Sequence, residues 1–454
     1  MKPSDNKLTG SKKINIVTLG CPKNTVDSEV LLKNLELKGF DVQHDSSDFP
    51  FDTVIINTCG FIHDAKEESI NTILNFIRAK EQGLVKRLFV MGCLSQKYMP
   101  ELRKEIPEVD YFFGVNSIKE IILCLNSGRE ENKKLTKERI ITGPDHYAYL
   151  KISEGCDRKC AFCTIPQIRG RHVSRPVDEI LEETTFLAEK GVKELILIAQ
   201  DLNYYGIDIY RKRKLSYLIQ RILGQNYFKW VRLQYLYPEG LHESLLELIR
   251  TDNRVCKYID IPVQHVSDSM LRLMKRSYTR KSLEKILTHI REMVPDAAIR
   301  TTIIVGHPGE KKKDFEELKK FISDFRFDRL GVFKYSHEDG TYAFKNYSDD
   351  IPEKEKEARA AEIMEIQQRI SHESNLNKIN RSFEVIIDRQ EGGYYIGRTQ
   401  YDSPEIDQEV LIEKRHKLIP GSFYKIKITG AEEFDLYGAP AERKHYTGEK
   451  SFRA

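Results

Sequence analysis

From residue 14 to about residue 340, short apolar runs alternate with stretches of helical spacing. This alternation leaves few folds open. Strands that are apolar throughout must be covered on both faces, and helices returning the chain between them make the sheet parallel. The pattern falls into two blocks. In the first, Ile14–Leu19, Thr53–Asn57 and Arg87–Met91 read as strands, with Val26–Leu37, His63 to about Lys80 and Gln96–Lys104 as helices. This predicts a flavodoxin-like α/β domain over residues 12–127. In the second, the strand candidates are Tyr147–Ile152, Glu194–Ala199, Val231–Leu236, Tyr258–Pro262, Ile299–Val305 and Leu330–Tyr335. Helical stretches such as Val177–Lys190, Lys281–Met293 and Lys312–Phe325 separate them. Six βα units of this size predict a partial (βα)6 barrel over residues 142–345, with its chemistry at the C-terminal ends of the strands. Residues 126–146 between the blocks are polar and carry Gly128 and Gly143-Pro144, which reads as a linker or irregular edge.

Beyond the second block, residues 351–378 are charged and helical, a bridging helix. From Ser382 the pattern turns β-like. Phe383–Ile387, Tyr394–Thr399, Val410–Ile412 and Tyr424–Ile428 are broken by Gly and Pro, which predicts a small β-barrel over residues 379–447. The whole is an α/β multidomain chain, in keeping with its 454 residues. With 40% hydrophobic residues it has the material for real cores, which excludes disorder throughout. No apolar run nears the roughly 20 residues of a membrane helix. Met1–Lys13 lacks the apolar stretch of a signal peptide. The expectation is a cytoplasmic protein with no membrane partner, whose thiols stay reduced.

Eight cysteines, Cys21, Cys59, Cys93, Cys124, Cys156, Cys160, Cys163 and Cys256, then read as metal ligands, catalytic groups or core rather than as disulfides. Cys156, Cys160 and Cys163 form a Cys-x-x-x-Cys-x-x-Cys loop directly after the first strand of the second block. Thiolates this close can wrap one iron–sulfur cube, and three ligands on four irons leave one iron open. Such a position resembles the free site of a catalytic zinc. A zinc knuckle or a chance cluster is the plainer alternative, and the place of the loop at a barrel strand end argues against chance. Cys21, Cys59 and Cys93 each lie just past a predicted strand, beside Gly20, Gly60 and Gly92. In a parallel sheet those ends gather at one edge, where ligands bind. Glycine there lets backbone turn tightly or approach a cluster. Convergence on a second cluster is the expectation, against three separate core cysteines. Cys124, on the apolar helix Ile118–Leu125, and Cys256 read as core.

The segment Glu154-Gly155-Cys156-Asp157-Arg158-Lys159-Cys160-Ala161-Phe162-Cys163, with Phe162 just before its third cysteine, resembles the signature of radical S-adenosylmethionine enzymes. That resemblance implies a 4Fe–4S cluster whose open iron chelates the amino and carboxylate groups of S-adenosyl-L-methionine. It also implies reductive cleavage of that cofactor to a 5′-deoxyadenosyl radical, on the partial (βα)6 barrel read above. Two cysteine triads in this order, followed by a small β-barrel, resemble the methylthiotransferases over nearly the whole chain, with a TRAM domain at the C-terminus. This second resemblance implies an auxiliary 4Fe–4S cluster on Cys21, Cys59 and Cys93 that supplies or carries sulfur. It implies that one S-adenosylmethionine gives the methyl group and another is cleaved, and that an electron donor such as flavodoxin or ferredoxin takes part.

The family has two main branches. One modifies an adenosine of transfer RNA, the other the β-carbon of an aspartate in the twelfth protein of the small ribosomal subunit. Gly20-Cys21-Pro22-Lys23-Asn24-Thr25-Val26-Asp27-Ser28-Glu29, Leu236-Tyr237-Pro238 and Asp402-Ser403-Pro404-Glu405-Ile406-Asp407 look like the ribosomal-protein branch. Charge points the same way. Arg381 to Tyr446 holds ten Lys plus Arg and twelve Asp plus Glu, a net −2 inside a chain of +4. A module that grips a polyanion should be basic. An acidic one suits a basic ribosomal protein. Methylthiolation of transfer RNA is the alternative, and a non-catalytic metal-containing RNA-binding protein is the alternative of another class.

Polar groups at the barrel strand ends are the candidate cofactor contacts. Gln200 and Asp201 follow the second strand, Arg232 lies in the third, Gln264 and His265 follow the fourth, and Gly306-His307-Pro308-Gly309-Glu310 follows the fifth. Phe162, Gln200, Arg232, Gln264 and Gly306 are the expected S-adenosylmethionine contacts, against plain turn chemistry. His307 is given no role, and no catalytic acid or base is assigned. Arg169, Arg171 and Arg175 either pair with a carboxylate of cofactor or substrate or form a solvated basic loop. Lys312–Lys320 reads as a solvated helix face.

Overall fold

The computed structural model describes residues 12–126 and 135–441. The first block is a five-stranded parallel sheet of β1 (Lys13–Thr18), β2 (Asp41–His44), β3 (Phe51–Thr58), β4 (Val85–Gly92) and β5 (Tyr111–Phe112), in the order β2-β1-β3-β4-β5. That is the doubly wound order of flavodoxin-like folds. Helices α1 (Pro22–Glu36), α2 (His63–Glu81) and α3 (Cys93–Glu105) follow β1, β3 and β4. Val54, Ile55 and Ile56 of β3 are fully buried, as a central parallel strand requires. Strands β2 and β5 are not legible in the sequence. β2 is a half-exposed edge with one aliphatic residue, and β5 is two residues long.

The second block holds β6 (Tyr147–Lys151), the two-residue strands β7 (Ser153–Glu154) and β8 (Val173–Ser174), then β9 (Glu194–Ile198), β10 (Trp230–Leu233), β11 (Tyr258–Asp260), β12 (Ala298–Val305) and β13 (Arg329–Lys334). The six main strands pair as two parallel sheets, β6-β9-β10 and β11-β12-β13. A bridge from Val231 to Val255 and a bond from Leu236 N to Asp260 O join them. All six predicted strands are present, and they follow sequence order around an open barrel.

The described part of the expected linker is a strap rather than a loose edge. Arg139, 2% exposed, pairs with Glu29 of α1 at 2.6 Å and with Glu183 at 2.9 Å. Thr136 N donates to Asn34, and Thr142 N to Glu29. Lys66 of α2 and Lys97 of α3 both reach Glu338, beyond β13, at 3.0 and 3.1 Å. The first block is thus clamped to the barrel through its helices.

The helix Glu353–Leu376 lies along β13 and runs to the last module. There β14 (Ser382–Glu391), β15 (Tyr394–Thr399), β16 (Val410–Glu413), β17 (Phe423–Ala431) and β18 (Leu436–Pro440) close a barrel in the order β14-β15-β16-β18-β17. β18 escapes sequence reading because Gly438 and Pro440 give it the look of a turn. It is nevertheless the closing strand, parallel to β16 and antiparallel to β17.

This module packs on the N-terminal ends of the barrel strands. Its loop after β15 meets the first residues of β6, β11 and β13. Tyr147 OH donates to Glu405 (3.0 Å), Tyr258 OH to Asp407 (2.6 Å) and Arg329 Nε to Asp402 (2.9 Å). Arg398 pairs with Glu194, the first residue of β9, at 2.5 Å. This changes the meaning of the acidic tail. The described module from Arg381 to Ala441 has eight basic and eleven acidic residues. Arg398, Asp388, Asp402 and Asp407 are buried within the chain, which leaves seven basic and eight acidic residues to the exterior. The excess acid is neutralised by the protein's own barrel and is not a display for a basic partner.

Candidate functional site

The two cysteine triads are built in different ways. Cys21 is the N-cap of α1, Cys59 follows β3 and Cys93 opens α3. Their strands, β1, β3 and β4, are adjacent, so the three thiols gather at one sheet edge. Asn24 ties that edge together. Its Nδ2 donates to Leu19 O (2.8 Å) and Thr58 O (3.1 Å), and its Oδ1 lies 3.7 Å from Cys93 Sγ. Gly20 sits at φ +91, where an added Cβ would stand 2.6 Å from Cys59 Cβ and 2.9 Å from its Sγ. Gly92, at φ +99, would place a Cβ 2.4 Å from Asn57 Oδ1. Only glycine lets these turns close over the thiols.

Cys156, Cys160 and Cys163 lie in the loop between β7 and β8, which pair with each other and close its base. Cys156 N bonds to Gly170 O at 3.1 Å and Arg158 N to Cys156 Sγ at 3.4 Å. Arg276, half-buried, donates from Nη1 to Cys160 Sγ at 3.2 Å and from Nη2 to Pro262 O at 2.9 Å. Burial pushes the Cys156 thiol up to about 11, and Cys163 and Cys93 up to about 12. Thiolate at such depths needs a cation beside it, and each triad has a guanidinium within reach of a sulfur.

Among the described residues no group of three His, Cys, Asp or Glu side chains closes round a point as one metal ion requires. A four-iron cube takes one thiolate at each of three corners and so keeps the sulfurs apart. The donor chemistry, three thiols with N–H groups aimed at sulfur, fits such a cube. Cys124 and Cys256 stand apart from both triads. Cys124 packs beside Ile121 and Phe113, and Cys256 beside Trp230 and Tyr258.

Arg169 connects the two sites. Its side chain is 1% exposed. Nη2 donates to Asn24 Oδ1 at 2.6 Å and approaches Cys93 Sγ at 3.6 Å, while Nη1 pairs with Asp27 (3.1 Å) and Glu154 (3.0 Å). Lys151 joins the same carboxylates. Burial opposes the charge on Glu154, but Lys151 and Arg169 outweigh it and hold its carboxyl at about 2. Of the three loop arginines, this one faces the site. Arg171 is exposed, and Arg175 pairs with Glu179 and Glu183.

The strand-end candidates divide. Gln200 and Gln264 each keep a buried side-chain oxygen without a hydrogen-bond partner, so both remain able to receive a ligand donor. Phe162, within the cysteine loop, packs beside Ala161, Tyr335 and Ala343. Asp201 pairs with Arg158 at 3.0 Å. At Gly306 the space of a Cβ is filled by Lys356, whose Cγ would be 2.4 Å away, so the glycine admits a helix side chain there. Arg232 is a correction. It is fully buried, pairs with Glu194 at 2.7 Å and donates to Gln400 O at 2.9 Å. Its guanidinium is held at the far end of the strands by the last module, away from the cluster loop. His307 is buried with Nδ1 on Pro308 O at 3.0 Å, and burial lowers its pKa to about 4.

Three site residues escape sequence reading. Arg276 follows a short helix with no motif around it, and Glu154 is quoted only as a flank of the cysteine loop. Lys23, inside the quoted Gly20–Glu29 segment, is 8% exposed with its ammonium 4.0 Å from the centroid of the Tyr235 ring. A buried lysine is rare enough to signal a site, but only the structure shows that it is buried.

Known proteins match along the chain in the same three parts. Residues 13–114 match "Uncharacterized protein family UPF0004", residues 150–322 the radical SAM superfamily and residues 379–440 the TRAM domain. Among solved structures, the radical S-adenosylmethionine methyltransferase TsrM of Kitasatospora setae superposes with a TM-score of 0.53 over 71% of this chain and 73% of its own, at 15% identity. OxsB, a cobalamin-dependent S-adenosylmethionine radical enzyme, gives 0.51 over 78% and 56%, at 13% identity. At these identities the likeness shows the fold alone. The sequence relatives are far nearer. Proteins named ribosomal protein uS12 methylthiotransferase RimO are 52% identical in Bacteroides fragilis, over 94% of this chain and 99% of the relative. In Cytophaga hutchinsonii the figures are 50%, 96% and 99%. With half its residues shared over almost the full length of both chains, this chain belongs to the RimO family of methylthiotransferases.

Proposed function

We propose that the chain methylthiolates the β-carbon of an aspartate in ribosomal protein uS12 by radical S-adenosylmethionine chemistry. One observation carries the reading: two cysteine triads, each with an arginine at a sulfur, tied to each other through Arg169, in a chain half identical to proteins named for this reaction. Cys156, Cys160 and Cys163 would hold the radical-generating 4Fe–4S cluster, and Cys21, Cys59 and Cys93 the auxiliary one. Loaded, the two clusters supply reductive cleavage of S-adenosyl-L-methionine and the sulfur for transfer. A radical route suits the target, because an aspartate β-hydrogen is weakly acidic and its carbon is no electrophile.

The protein's own groups do the rest. Arg276 and Arg169 hold the sulfurs of Cys160 and Cys93, and such bonds tune a cluster's potential. The free oxygens of Gln200 and Gln264 accept donors of the cofactor at the barrel mouth, with Phe162 and the backbone at Gly306 as further contacts. The clamps of Glu29 and Glu338 fix the distance between the triads. The domain bounds proposed are residues 12–127, 142–345, 351–378 and 379–447. The reaction takes place in the cytoplasm with flavodoxin or ferredoxin as electron donor. No helix among the described residues is long and apolar enough to cross a membrane.

The test is anaerobic. The reconstituted protein, a reductant and S-adenosylmethionine are incubated with uS12 and, separately, with transfer RNA. A mass gain of SCH2 on uS12, with 5′-deoxyadenosine released and about eight irons per chain, is the expected result. The same gain on transfer RNA alone overturns the substrate, and four irons overturn the auxiliary cluster.

A further inference from the structure

Lys23 is the second residue of α1 and lies two positions after Cys21. The other buried or half-buried cations at this junction have carboxylate partners: Lys151 with Asp27 and Glu154, Arg169 with the same pair, Arg139 with Glu29, and Lys97 with Glu338. Lys23 has none. Among the described residues its ammonium neither donates a hydrogen bond nor forms an ion pair; it lies on the face of Tyr235, with the Cys21 thiol and the Glu154 carboxylate acting on it only through space. A cation–π contact compensates only part of what an ammonium loses on leaving water.

The ring beneath it is fixed by the fold. Tyr235 follows β10 with φ +70, a left-handed conformation uncommon in a non-glycine residue, and its amide donates to Asp260 Oδ2 at 2.9 Å. The neighbouring strand ends carry the partnerless oxygens of Gln200 and Gln264. The mouth of the barrel therefore presents one cation without an ion pair and two acceptors beside the auxiliary triad. An anionic group would complete the cation. A neutral nucleobase brings no charge to it.

Resting on the functional reading above, we propose that Lys23 is the carboxylate receptor of the substrate site, its ammonium pairing over the Tyr235 ring with the side chain of the target aspartate. A charge-assisted pair, at an ammonium that no internal carboxylate contacts, discriminates aspartate from its amide. It also sets the β-carbon next to the helix start that carries Cys21. The carboxylate of S-adenosylmethionine has the same chemistry, so the experiment separates the two sources.

The experiment is a double-mutant cycle on the full-length protein carrying both clusters. Binding of uS12, and of uS12 with the target aspartate replaced by asparagine, is measured to the wild type and to Lys23→Met, with S-adenosylmethionine binding and iron content in parallel. The expected result is a roughly 10- to 100-fold preference of the wild type for the aspartate form. Lys23→Met should lose that preference and keep its iron and its affinity for S-adenosylmethionine. A preference that persists in Lys23→Met overturns the assignment, as does a loss confined to S-adenosylmethionine binding. Lys23→Gln guards against misfolding, and loss of iron from both variants would give Lys23 to the cluster and overturn it too. A wild type that cannot modify uS12 removes the functional reading itself, and this assignment with it. A wild type that modifies uS12 without the coupling removes only Lys23.

Discussion

The two triads differ in what holds them. Cys156, Cys160 and Cys163 share one loop, closed at its base by two-residue strands, and need little beyond local chain to meet. Cys21, Cys59 and Cys93 span 72 positions and meet only because β1, β3 and β4 are neighbours in a parallel sheet. Their arginines differ likewise. Arg276 stays within the barrel and touches a carbonyl, the Tyr278 hydroxyl and Cys160, whereas Arg169 crosses to the other module and shares two half-buried carboxylates with Lys151. A triad made by a loop can be read from spacing. A triad made by a sheet depends on everything that keeps the sheet in place.

Substitution of a ligand breaks the comparison outright. Cys160→Ser and Cys59→Ser should each abolish methylthiolation and each take iron from about eight to about four per chain. Only Cys160→Ser should also end 5′-deoxyadenosine formation. Iron assay and product chromatography check both. If Cys59→Ser keeps all its iron, the sheet-edge triad holds no cluster.

The arginines give the next largest effect. Arg169→Ala leaves Asp27 and Glu154 to Lys151 and takes a donor from Asn24 Oδ1, a loss of about 2–4 kcal/mol. Arg276→Ala, with no carboxylate partner, should lose about 1–3 kcal/mol. Urea unfolding of the two variants decides the order, and equal losses would mean that Arg169 is no stronger a tie than Arg276. Gly20→Ala follows. Its left-handed backbone and the collision with Cys59 predict a loss of about 1–3 kcal/mol. Gly170→Ala in the other loop has a similar φ of +74 but nothing within 4 Å, and should lose about 1–2 kcal/mol from backbone strain alone. Thermal melts of the pair check this.

Acid should act most weakly, and on the seam between barrel and last module. Burial opposes the charge of Asp402 and Asp388, but Arg329 and Arg398 respectively overcome it and keep both carboxyls below their usual range. A depressed folded pKa means stability that is complete above the unfolded value of about 3.9 and lost as pH falls through the folded one. Asp407 runs the other way, since burial raises it despite Arg300. Asp402→Asn should therefore flatten the acid limb of a stability–pH curve, and an unchanged limb would remove Asp402 as its source.

Much of this is legible in the sequence for physical reasons. Parallel strands buried on both faces announce themselves as apolar runs, and the six barrel strands did so. β2, β5 and β18 did not, because an edge, a two-residue strand and a Gly/Pro-bearing strand lack that signal. Both cysteine triads were marked by their place after strands. The direction of Arg232 is not legible, because strand position alone does not tell which way a long side chain runs. The role of the acidic tail is not legible either, because a charge count cannot see that Asp402 and Asp407 face Arg329 and Arg300.

The sequence by itself determined the alternation of elements, the cysteine spacing and the family. Those follow from local periodicity and from residues close in the chain. Only the tertiary structure decided which cation stands without a partner and which arginine joins the triads. It also decided that the last module turns its acids toward the barrel. These are relations between residues such as Arg169 and Cys93, or Arg329 and Asp402, which are separated by tens of positions. Electrostatic pairing depends on distance in space, and sequence order carries no record of that distance until the chain has folded.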